Sequence, residues 1–109
     1  MVPAEPRGGK EVRAIIKSPG RRPGVIEMEN SLRAMQKIVG GYIEAVTLTT
    51  DSALICNEDG IALGLAENVD FLGVKIRGTL LIVGVDGEEF CDLSDAGVRQ
   101  WMQVLRRRK

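Results

Sequence analysis

The side chains able to do chemistry in this sequence are few, and one type is missing. No histidine occurs among the 109 residues. That excludes a Ser-His-Asp triad, a Cys-His dyad, a His-ligated metal and an imidazole pH switch. The two cysteines, Cys56 and Cys91, are too few for a Cys-rich zinc site and match no redox spacing. Cys56 lacks a sequence neighbour that would lower its pKa. Both cysteines read as reduced, buried, small apolar residues; their separation, and so a disulfide between them, is open at this level. Among the carboxylates, Glu44 or Asp59 could act as a general base in an enzyme without histidine. Asp51, Glu58 and Asp59 lack the spaced oxygens of an EF-hand and read as a solvated turn. The expectation is a protein with no metal, no cofactor and no catalytic centre.

Binding chemistry is better represented. Gly40-Gly41-Tyr42 could form a backbone nest for a phosphate, with Tyr42 stacking on a base. The competing reading is a helix stop followed by a strand, which explains both glycines by geometry. Gln36, Glu44, Asn57 and Glu58 are the polar residues around this point. Glu44 shares a strand face with Val46 and Leu48. It is therefore either at the rim of the core, in a buried hydrogen-bond set with Gln36 or a turn amide, or a polar group in an apolar ligand pocket. The expected ligand set is Gln36, Gly40, Gly41, Tyr42, Glu44, Asn57 and Glu58. Arg106, Arg107, Arg108 and Lys109 form a second candidate, a contact for nucleic-acid phosphates. Its bland counterpart is a tail that complements a helix dipole. Arg7, Arg13, Arg21 and Arg22 add to the nucleic-acid reading if they share a face with that tail.

Charge is segregated along the chain. Lys+Arg and Asp+Glu both number 15, so the net is zero. Residues 1–37 nevertheless carry eight basic and four acidic side chains, residues 38–95 two basic and eleven acidic, and residues 96–109 five basic and none acidic. Either the surface is polarised or the basic ends fold back onto an acidic body. No apolar run approaches the roughly 20 residues of a membrane span, and the first residues lack an apolar signal core. The expected compartment is the cytoplasm.

These residues need elements to position them. Residues 1–11 read as an arm and 12–109 as one domain. Val12–Lys17 and Val25–Met28 read as a strand pair across a Pro- and Gly-rich loop. Asn30 or Ser31 caps a helix carrying Leu32, Met35, Ile38 and Val39, which ends at Gly40-Gly41. Tyr42–Thr50 and Ser52–Cys56 are strands. The turn Asn57-Glu58-Asp59-Gly60 takes a positive φ at Gly60. Ile61–Phe71 reads as a loop or short helical piece. Val74–Val85 is the strongest strand, buried on both faces. Asp86-Gly87 turns the chain into Glu88–Asp92. Ser94 opens a second helix with Val98, Trp101, Met102 and Leu105 on its apolar stripe and a staple of Leu93 with Val98. The predicted class is α+β, a mostly antiparallel sheet with two short helices in the order ββ-α-ββ-ββ-α, one or both helices covering one face.

The block Asn30–Glu44, N-S-L-R-A-M-Q-K-I-V-G-G-Y-I-E, resembles the opening of a domain-of-unknown-function family of small proteins from Gram-positive bacteria, their phages and mobile elements. Its members read N-x-L-x-x-(L/M)-Q-x-x-V-G-G-x-I-E and continue to C-N-E-(E/D)-G, as Cys56–Gly60 does here. A late G-T-x-x-(I/V)-V-G strand is matched by Gly78–Gly84. The resemblance spans roughly residues 12–105, with a longer arm and a poorly matched Leu63–Phe71. It implies a fold unit and a genetic setting, with no reaction attached. Small proteins in that setting often disarm host defence. The resemblance therefore implies a non-enzymatic counter-defence inhibitor, anti-CRISPR proteins being one kind, in the host cytoplasm. It would bind an immune effector protein or sequester a nucleotide signal of cyclic or ADP-ribose type, and a homo-oligomer is compatible with this. The rival expectation is a nucleic-acid accessory protein using the basic N- and C-terminal segments.

Overall fold

The run Leu80–Val83 decides the architecture. Its four side chains are completely buried, and they alternate between two cores. The computed structural model describes residues 10–71 and 73–106. Its elements are β1 (Glu11–Lys17), β2 (Gly24–Glu29), α1 (Leu32–Val39), β3 (Ile43–Thr49), β4 (Ser52–Asn57), β5 (Glu67–Phe71), β6 (Val74–Arg77), β7 (Leu80–Asp86), β8 (Glu89–Cys91) and α2 (Asp95–Arg106). The main sheet runs β2-β1-β7-β4-β3, with β8 also on β7, and every pairing is antiparallel. A strand covered on both faces has no solvent side, so β7 carries no polar alternation. Each such buried side chain contributes about 1.5–3 kcal/mol.

On one face Leu80 and Ile82 join Ile15, Leu54, Cys56, Leu93, Trp101 and Leu105 under α2, together with Val69, Phe71 and Ile76 of the β5–β6 hairpin. On the other, Leu81 and Val83 join Val12, Ala14, Ile55, Met35 and Val39 under α1. The α+β class and the mostly antiparallel sheet are as predicted. The helices, however, cover opposite faces rather than sharing one. Trp101 fixes α2 in place: its indole N–H donates to Ser52 Oγ at 3.2 Å, and its ring lies 5.5 Å from that of Phe71.

Several local expectations are corrected. The predicted strand 74–85 is two strands, because Gly78 has φ +82° and turns β6 away from β7. The stretch 61–71 ends in β5, where Val69 and Phe71 point into the core and Glu67 and Asp70 do not. The chain therefore has one more hairpin than the sequence pattern indicates. Gly60 has no positive φ; a Cβ there would meet the Arg77 carbonyl oxygen at 2.9 Å, so it serves close approach to β6. Of the two cap candidates, Ser31 caps α1, accepting from Ala34 N–H at 3.1 Å. Asn30 is buried and donates to the Phe90 carbonyl at 2.9 Å. Ser94 does open α2, accepting from Gly97 N–H at 3.0 Å. Cys56 is buried, Cys91 only half-buried, and both are free thiols. Residues 1–9 of the predicted arm lie outside the described residues, and β1 already begins at Glu11.

Candidate functional site

The expected ligand residues fall into two groups. Gly40, Gly41 and Asn57 form the joint between α1 and β4. Gly40 takes φ +83°, and the N–H groups of both glycines donate to the Gln36 carbonyl at 2.8 and 3.0 Å. Those N–H groups close the helix and do not form a phosphate nest. The amide of Asn57 is likewise committed: Nδ2 donates to the Val39 carbonyl at 3.1 Å and Oδ1 accepts from Asp59 N–H at 2.7 Å. A Cβ on Gly41 would sit 2.9 Å from Asn57 Nδ2, so the second glycine makes room for that amide. Tyr42 is joined to the turn through its carbonyl, which accepts from Glu58 N–H at 2.8 Å, while its ring stays exposed. Gln36 is half-buried on α1.

Glu44, Glu58 and Asp59 line a surface cleft of 480 Å³ with Lys75 and Arg77. Glu44 is exposed, at the rim of the core; the buried bond to Gln36 or a turn amide is not formed. The strand parity is as expected, but β3 is an edge strand and leaves this position open to water. Arg77 is engaged by Glu67 at 3.3 Å. Cys56 also borders the cleft. Burial, with the nearby charge of Glu44, pushes its thiol up to about 11. It is held protonated at neutral pH and is a poor nucleophile.

A second cleft is half-visible in the sequence. It measures 640 Å³ and lies between the β1–β2 loop and the last turn of α2. Among the described residues it is lined by Lys17, Arg21, Arg22 and Arg106, with Pro23 and Leu105 as apolar neighbours and no carboxylate. Arg21 and Arg22 do share a surface with Arg106; Arg107, Arg108 and Lys109 lie outside the described residues. Arg13 goes elsewhere, pairing with Asp95 at 2.8 Å and donating to the Leu93 carbonyl.

Lys17 is the residue that pattern reading missed. It is 1 % exposed, and its ammonium donates to the Ser18 carbonyl at 2.9 Å. Burial pushes its pKa down from the ordinary lysine value. The available signal was parity: Lys17 shares a face with Ile15, and a strand covered on both sides buries both parities. The loop after it is anchored. Asn68 Nδ2 donates to the carbonyls of Lys17 and Gly78, each at 2.8 Å, and Arg21 N–H donates to the Ser18 carbonyl at 3.1 Å.

These features define an α+β domain with one helix on each face of an antiparallel sheet and a basic cleft at one end. Residues 12–106 match the family described as a domain of unknown function, DUF3846, and the chain belongs to that family. No match was found among curated proteins or among solved structures. Among the described residues, no helix is long and apolar enough to cross a membrane.

Proposed function

We propose that this is a non-enzymatic binding protein for a phosphate-bearing ligand, captured in the cleft between the β1–β2 loop and the end of α2. One observation supports it: among the described residues, four cationic side chains and no carboxylate line one concavity. Guanidinium forks match phosphate oxygens bidentately, and ligand pockets commonly measure about 300–1,000 Å³. A small nucleotide fits both the chemistry and the 640 Å³ available. The resemblance to small proteins of Gram-positive bacteria, phages and mobile elements suggests a use for such capture. Removing a nucleotide signal would disarm a host defence that depends on it. Nucleic acid is the second reading, because Arg21, Arg22 and Arg106 are exposed and could track a phosphate backbone.

Calorimetry of the full chain against a nucleotide panel and a short single-stranded oligonucleotide tests this. The expected outcome is nucleotide binding that Arg21→Gln/Arg22→Gln weakens about tenfold or more. Oligonucleotide binding alone, falling steeply between about 50 and 200 mM salt, moves the function to the second reading. Binding of neither overturns the phosphate reading and leaves occlusion of an immune effector protein as the function to test.

A further inference from the structure

Within the basic cleft the four cations are not equivalent. Arg21, Arg22 and Arg106 are exposed at the rim, whereas Lys17 is 1 % exposed. An ammonium has three donors. One of these goes to the Ser18 carbonyl at 2.9 Å, and among the described residues no carboxylate pairs with Lys17. A buried cation without a counter-ion is costly, and the group that best offsets the cost is an anion in direct contact. The end of α2 is not that anion: a helix C-terminus carries roughly half a negative charge, against four positive charges here.

We propose that Lys17 reads a terminal phosphate: the cleft selects ligands with a phosphomonoester that enters end-on and reaches the ammonium, over ligands whose phosphates are all diesters. This rests on the phosphate reading above and names the substrate class of that same cleft. The rim arginines can meet any phosphate, because they stand in solvent. Lys17 lines the same cleft but is buried where they are exposed. A phosphodiester, whether internal or cyclic, has only two free oxygens and one negative charge. A terminal phosphate has three free oxygens and up to two charges, which suit the ammonium's remaining donors.

The probes are adenosine 5′-monophosphate against 3′,5′-cyclic AMP, and a thymidine tetranucleotide with and without a 5′-phosphate. Each is titrated into the full chain. The expected result is that the monoester member of each pair binds about tenfold or more tightly. Lys17→Met removes that preference, so that the monoester member of each pair binds no more tightly than its partner. This variant replaces a buried charge with an apolar side chain of similar length, so it keeps the fold. Thermal melting checks that, and the preference of the unaltered chain is an independent readout if it does not. Equal affinity within each pair overturns the role of Lys17 while the cleft reading stands. A preference that survives Lys17→Met also overturns it. Failure of all four probes to bind overturns both readings together.

Discussion

Asn57 is where α1, β4 and the following turn are held to one another. Its side chain is 5 % exposed and satisfies the Val39 carbonyl and the Asp59 N–H at once. Asn57→Ala leaves both of those groups without their partner and opens a void beside Gly41. An unsatisfied buried polar group costs about 1–3 kcal/mol, so the variant should lose about that much stability in urea unfolding. Ligand binding at the basic cleft should be unchanged. A stability change within about 0.5 kcal/mol, the range of ordinary surface substitutions, would show that the amide is not the joint. At this scale the sequence displays residue type and withholds partners. Asn57, Gly40 and Gly41 stand out as polar or glycine residues in a family-like block, which fits a ligand site and a structural joint equally well. Only the hydrogen-bond partners separate the two. Lys17 shows the converse, because nothing in its type announces that it is buried.

Elements were legible where one pattern ran without interruption. The stripe of α2, the two-faced apolar run of β7 and the β1–β2 pair all follow from spacing. The errors fall where a single backbone angle or a close approach decides the outcome. Gly78 divides a continuous β-rich run, and the alternation of β5 is short enough to pass for a loop. β8 is the short strand to which the Asp86-Gly87 turn leads, as expected, and its place beside β7 depends on Gly84. A Cβ on Gly84 would lie 2.2 Å from the Asp92 carbonyl oxygen and 2.7 Å from its carbon. Those are backbone atoms, and they cannot move aside as a flexible side chain would. Gly84→Ala should therefore cost about 1–3 kcal/mol or more, by the usual penalty for overpacking, and speed amide exchange along β8. Gly24→Ala is the control. A methyl group on Gly24 would meet no heavy atom within 4 Å, and its φ is not positive, so its change should be small. Equal losses in the two variants would mean that backbone entropy, not the approach of Asp92, governs Gly84.

Registers turn the segregation of charge along the chain into segregation in space. β1 runs from Glu11, opposite Glu29, to Lys17, opposite Leu80. Asp86 and Glu89 close the other end of β7, where the Asp51 carbonyl accepts from Val85 N–H. One end of the sheet thus gathers Glu11, Glu29, Asp51, Asp86 and Glu89, while Lys17, Arg21, Arg22 and Arg106 line the cleft at the other. The seven residues of β1 span the distance between the two, roughly 20 Å at about 3.3 Å per residue. Screening lengths are about 8 Å at physiological salt, so the acidic end does not neutralise the cleft there. The formal net of zero is therefore a poor guide to the charge at the cleft. At pH 7 the full chain should be retained on a heparin column at low salt. Arg21→Gln/Arg22→Gln/Arg106→Gln should elute at clearly lower salt. Asp86→Asn/Glu88→Gln/Glu89→Gln alters net charge by the same amount in the opposite sense, yet should shift elution far less, because its charges lie beyond the screening length from the cleft. If the acidic-end variant moves as far as the arginine variant, retention follows net charge, and the two ends do not act as separate surfaces.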